Sequence, residues 1–171
     1  MPRLLPALLA IVTLSQAAQA QTVACDLKLN VIDPDPAGLN VRSSPGGAVV
    51  TTLKAQGRWV EVQVVGQSGA WARIDGATLY AEDNAGGSPL YQGRGWVAFR
   101  ELGFEELDEH VRIFAAPSED SRILLKLHTP DGTKQPKADV LGCSGDYLRV
   151  RIGAVVGWTR DYCDNQFTTC V

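Results

Sequence analysis

The stretch GLNVRSSPGG, Gly38 to Gly47, decides how the chain is read. Leu39 and Val41 alternate with Asn40 and Arg42, the period of a strand that buries one face, and Ser43-Ser44-Pro45-Gly46-Gly47 supplies the turn that ends it. Arg42 therefore falls on the outer face, where the strand meets its loop. Two uses are open to it there. Its guanidinium can donate to carbonyls of its own turn, which is the reading adopted, or it can contact a ligand.

Outward from this stretch the same alternation recurs. Val60, Val62 and Val64 share one face of WVEVQVV, and Leu148, Val150 and Ile152 share one face of LRVRI. Seventeen glycines and nine prolines punctuate the chain, and no strong helical period appears beyond the N-terminal segment. An all-β fold follows. The chain also matches itself. Setting Pro45 over Pro117 pairs Leu39 with Val111 and Val41 with Ile113. Farther on, Leu53 meets Leu127, Trp71 meets Tyr147, Ile74 meets Val150, and Gly95-Trp96 meets Gly157-Trp158. The first copy alone carries an insertion over 75–94, DGATLYAEDNAGGSPLYQGR, in which Tyr80 and Tyr91 flank the glycines. It reads as a lengthened two-stranded ribbon or, more sharply, as one wall of a binding site. Between the copies FEELDEH, Phe104 to His110, reads as a solvated linker, with a single helical turn as the alternative.

These residues carry a family resemblance. GLNVRSSPGGAVVTTL, then VEVQVVGQSGAWARI, then GWVAFREL, resembles the bacterial SH3 module, SH3b, in which an LNVR-S-x-P run opens a small barrel, an aromatic strand follows and a Gly-Trp strand closes it. VRIFAAPSEDSRILLKL, DVLGCSGDYLRVRI and VGWTRDY resemble the same module more distantly. There Ile113-Phe114-Ala115 stands where the family has Val-Arg-Ser, so no role of Arg42 carries over to the second copy. The resemblance implies two small SH3-like barrels in tandem, one over residues 26–104 with its insertion at 75–94, the other over 111–162, joined by a linker at 105–110. It also implies an exported, non-catalytic attachment module, some members of which bind peptidoglycan and its peptide stems.

The first twenty residues, MPRLLPALLAIVTLSQAAQA, have an early arginine, an apolar run from Leu4 to Leu14 and a small-residue Ala18-Gln19-Ala20 ending. They read as a cleaved secretory signal over 1–20, with the run too short to span a bilayer. A secreted or periplasmic location follows, with no integral membrane segment after cleavage. Lipidation at Cys25 is disfavoured, because Thr22-Val23-Ala24-Cys25 lacks the leucine of a lipoprotein signal and an odd number of cysteines would remain. The four cysteines, Cys25, Cys143, Cys163 and Cys170, predict two disulfides in an oxidising compartment. Of three connectivities, Cys25 with Cys143 and Cys163 with Cys170 is preferred because the second pair closes a short loop, which makes 163–171 a tethered tail. No CxxC or HxxxH spacing supports zinc. A net charge of −3 gives no reason to bind nucleic acid or anionic membranes.

Catalytic material is sparse. A cysteine hydrolase needs a thiolate beside a histidine, and His110 and His128 read as exposed loop residues. Asp33-Pro34-Asp35-Pro36 reads as an extended turn, and no G-x-S-x-G, H-E-x-x-H or P-loop run is present. Neither a catalytic residue, a metal nor a cofactor is expected. Aromatic side chains offer better material for binding. Trp71 and Trp96 recur in the second copy as Tyr147 and Trp158 and are expected in the core, which leaves Arg42, Trp59, Tyr80 and Tyr91 as candidate ligand contacts. The expected partner is a cell-envelope ligand, peptidoglycan peptides first. A protein-interaction scaffold bound to an envelope protein is the alternative, and a minimal cell-wall hydrolase comes third.

Overall fold

The computed structural model describes residues 21–81, 84–130 and 133–163. Strict alternation governs most of this length, and the architecture is all-β with several sheets. Strand β1 (Val23–Val31) precedes the quoted stretch, which forms β2 (Leu39–Arg42). Then come β3 (Val49–Leu53), β4 (Trp59–Ser68), β5 (Trp71–Ala81), β6 (Asn84–Tyr91), β7 (Gly95–Ala98), a single 3-10 turn (Phe99–Glu101), β8 (Leu102–Gly103) and β9 (Glu106–Leu107). The second copy supplies β10 (His110–Phe114), β11 (Ile123–His128), β12 (Ala138–Ser144), β13 (Tyr147–Ile152) and β14 (Val155–Thr159), and β15 (Tyr162–Cys163) ends the described chain.

The larger sheet runs β3-β2-β7-β5-β4-β1-β8, with β6 paired on β5, and the second runs β11-β10-β14-β13-β12. With β1, β6 and β8 set aside, the two orders coincide. The agreement extends to single residues. Leu39 opposes Leu53 as Val111 opposes Leu127, and Arg42 opposes Trp96 as Phe114 opposes Trp158. Arg73 opposes Trp96 as Arg149 opposes Trp158. Even the irregularities repeat, with a bulge at Val41/Arg42 and at Ile113/Phe114, and another at Val64/Gly66 and at Val140/Gly142. Bulges bend a ladder at fixed places, so the copies share their curvature as well as their strand order.

Both ladders stay open. Among the described residues no pairing joins β3 to β4 or β11 to β12, and the closed barrels expected from the sequence are corrected to open antiparallel sheets. In the larger sheet the edge a barrel would close on is already used. β4 gives its outer edge to β1, with Leu29 opposite Val62 and Leu27 opposite Val64. On β12, the Cys143 N–H donates to Gln67 Oε1 at 2.5 Å.

The inward positions of the alternation make the core. Leu29, Val41, Val62, Val64, Ile74, Leu148 and Val150 are fully buried and belong to one hydrophobic cluster that runs through both copies. Burying each such side chain contributes about 1.5–3 kcal/mol. The Gly-Trp strands close over this layer because their glycines lack a Cβ. A Cβ at Gly157 would stand 2.5 Å from Ile113 Cγ2 and 2.6 Å from the Phe114 carbonyl oxygen, and one at Gly95 would collide with Val41.

Trp71 and Trp96 are not in this core. Both are half-buried, since Ala72, Ile74 and Val97 take the inward positions and leave the two indoles on the opposite face. On that face Arg42 lies over the Trp71 ring at 5.9 Å, and in the second copy Arg149 lies over Trp158 at 5.9 Å, a like contact made from different positions of the repeat.

Strand β1 ties the copies together. Cys25 bonds Cys143 across 118 residues with a Cα–Cα distance of 5.8 Å, the Asp26 N–H donates to the Gly145 carbonyl at 2.8 Å, and the Gly145 N–H donates to the Ala24 carbonyl at 2.9 Å. The expected Cys25–Cys143 pair is present. It links one sheet to the other instead of closing the second copy on itself. The segment read as a solvated linker carries β9, which pairs with β15. Its Leu107 is 3% exposed, and Phe104 packs on Tyr162 with ring centroids 5.3 Å apart.

Candidate functional site

The insertion places β6 against β5, and the ribbon rises beside the outer face of β4 and β1. Cross-strand register sets what this face carries: Lys28 opposes Gln63, while Glu61 opposes Thr78 and Trp59 opposes Tyr80. A cleft of about 540 Å³ opens here, lined by Lys28, Glu61, Gln63, Thr78, Tyr80 and Tyr91 among others. Its floor is polar and its wall aromatic. Lys28 Nζ sits 3.2 Å from Glu61 Oε1, and the Tyr80 hydroxyl donates to the same oxygen at 3.4 Å. Gln63 Nε2 donates to Asp26 Oδ1 at 3.1 Å and to the Leu27 carbonyl at 3.3 Å.

A second hollow of about 400 Å³ continues from Lys28 and Gln63 to Asp26, Asp146, Arg160 and Tyr162. Arg160 Nη1 donates to Asp146 Oδ2 at 3.1 Å, and its other terminal nitrogen bonds Glu119. The hydrogen bonds to Glu119 and then Asp146 raise its pKa further above the usual arginine value. Read along β1, the two hollows present cation, carboxylate and amide side chains, with Tyr80 and Tyr91 in the first and Tyr162 in the second. Such a lining can hydrogen-bond a chain that carries both carboxylates and amines.

Of the candidate ligand contacts, Tyr80 and Tyr91 come together in the cleft. The Tyr91 hydroxyl also donates to the Arg94 carbonyl at 3.0 Å, which fixes its ring. Trp59 stands beside the cleft, opposite Tyr80 and 37% exposed. Arg42 is elsewhere: its Nη1 donates to the Gly47 carbonyl at 2.8 Å, the use within its own turn that the sequence favoured. Lys28, Glu61 and Gln63 were missed by sequence reasoning. Each is an outward position of an alternating strand, Glu61 and Gln63 on β4 and Lys28 on β1, and only the pairing of β1 with β4 brings them together.

Asp33 Oδ1 accepts from the Asp35 N–H and Asp35 Oδ1 from the Ala37 N–H, so the Asp-Pro run bonds its own backbone in turns. Cys163 is disulfide-bonded, whereas Cys170 and the tail from 164 lie outside the described residues, as does the expected signal at 1–20. No helix among the described residues is long and apolar enough to cross a membrane. Compared with known proteins, the chain matches no family model, no curated protein and no solved structure.

Proposed function

We propose that this chain is an exported, non-catalytic binding protein built from two SH3b-like modules, and that the first module recognises a cell-envelope ligand, peptidoglycan stem peptides foremost. The observation that carries the reading is the cleft formed by the insertion, where Tyr80 and Tyr91 wall a floor of Lys28, Glu61 and Gln63. Stem peptides offer free carboxylates, amines and amides in an extended chain, the groups this floor complements, and tyrosine gives contact area at little entropic cost. The repeated strand order and coincident bulges support the module reading. The bonded state of Cys25, Cys143 and Cys163 supports the non-catalytic one, because a disulfide sulfur offers no nucleophilic thiolate.

The scaffold reading draws on β3. It is the outermost strand of its sheet and exposes Val49 and Val50 to 47% and 52%, an edge on which a partner strand can pair. Sedimentation with purified peptidoglycan separates the two. The mature chain should pellet with the polymer, and Tyr80→Ala with Tyr91→Ala should return it to the supernatant. Wild-type protein that stays in the supernatant overturns the peptidoglycan reading and leaves the scaffold.

A further inference from the structure

The chain has two histidines, and the fold brings them face to face. His110 opens β10 and His128 closes β11, and the antiparallel register sets one directly opposite the other. Their ring centroids are 4.8 Å apart at an interplanar angle of 38°. Glu109 joins them, with its Oε1 3.8 Å from His128 Nδ1. One ligand atom from each of the three lies within 4.8 Å of the others, and all three residues are exposed.

The backbone around the group is fixed, and the three side chains are exposed. The Thr129 N–H donates to the Glu109 carbonyl at 2.8 Å, Thr129 Oγ1 donates to the Asp108 carbonyl at 2.5 Å, and Thr129 is itself buried. The ladder therefore holds Glu109 beside His128 with no help from a ligand. Two nitrogens bound to one tetrahedral cation at about 2.1 Å each stand about 3.4 Å apart. Exposed imidazoles reach that separation by side-chain rotation alone. Two positions along the ladder, on the same face, stand Arg112 and Lys126, and the Arg112 guanidinium is engaged by Asp161 at 3.0 Å.

We infer that His110, His128 and Glu109 form a surface site for a zinc-class divalent cation. Two imidazoles and a carboxylate match the donors that Zn²⁺ takes, whereas Mg²⁺ and Ca²⁺ prefer sets made of oxygen alone. Three protein ligands leave a fourth position for water or for a donor on another molecule. The site clamps the β10–β11 pair and is separate from the tyrosine cleft, so it stands whether or not that cleft binds peptidoglycan.

The test uses tag-free mature protein, titrated with zinc chloride by calorimetry and by NMR of the histidine ring nitrogens. One saturable event at micromolar metal is expected, with both rings shifting together. His110→Ala and His128→Ala should each weaken binding roughly tenfold or more, since removal of even an outer partner of a ligand costs that much. Glu109→Gln should weaken it less, and Mg²⁺ should give no heat at the same concentrations. Far-UV circular dichroism checks that the variants keep their fold, and the ring shifts of the wild-type protein give the answer without any variant. The inference is overturned if the rings do not shift at millimolar zinc, or if the His110→Ala/His128→Ala double variant binds zinc as the parent does.

Discussion

At the scale of single residues, Arg42 illustrates how an outward polar position acquires a structural task. Its guanidinium reaches back to the Gly47 carbonyl and covers the Trp71 ring, so Arg42→Ala loses a hydrogen bond and a cation–aromatic contact together. A loss of about 1–2 kcal/mol in urea unfolding is expected, with peptidoglycan pelleting unchanged. Unchanged stability with lost pelleting would instead make Arg42 a ligand contact. Asp108 acts in the opposite sense. Burial raises its carboxyl pKa first, and the nearby Asp161 and Glu106 charges raise it further. Because the folded value lies above the unfolded one, ionised Asp108 subtracts from stability at neutral pH, and the loss is relieved as pH falls through the raised value. Asp108→Asn should therefore be more stable than the parent at pH 7, and the difference should vanish in acid, where the parent is protonated. The face on which Arg42 lies was legible from two-residue alternation. The depth of Trp71 and Trp96 was not, because recurrence in a second copy reports a shared strand position and not a shared depth: Trp71 is half-buried where its counterpart Tyr147 is buried.

The elements that the repeat frame defines were legible, and those outside it were not. Strands β2, β4, β5, β7 and their counterparts follow from alternation and from the Gly-Trp closure. Strand β1 was passed over although Cys25, Leu27 and Leu29 alternate inward along it, since it has no counterpart in the second copy and so had no second occurrence to draw attention to it. The acidic composition of FEELDEH pointed to solvent, yet Leu107 is buried, Phe104 packs on Tyr162, and a two-residue strand pairs the segment with β15. Leu107→Ala should cost about 2–4 kcal/mol in chemical denaturation, whereas a change within about 0.5 kcal/mol would return the segment to a solvated linker. The cleft was half legible. Its tyrosines stand out by type and position, while Lys28, Glu61 and Gln63 become a floor only when β1 is set beside β4.

For the whole molecule, the question is what makes two copies of one β pattern behave as a unit. The hydrophobic cluster is continuous across both, and strand β1 fixes the junction through Cys25–Cys143 and a pair of backbone hydrogen bonds to Ala24 and Asp26. A crosslink spanning 118 residues restricts the unfolded chain by roughly 4–5 kcal/mol in the loop-entropy view. The repeat was visible in sequence because its turn and aromatic positions recur, and the Cys25–Cys143 half of the junction was the preferred cysteine pairing; the backbone bonds of Ala24 and Asp26 to Gly145 were not legible, because nothing local to those residues announces a partner so far along the chain. Amide hydrogen exchange on the oxidised protein and on a Cys25→Ser/Cys143→Ser variant tests this arrangement most directly. The account predicts that protection falls first at the amides of positions 26, 143 and 145, with β4–β5 and β13–β14 still slow in each copy. Faster exchange spread evenly over both sheets, or protection at those three amides equal to that of the oxidised protein, would contradict it.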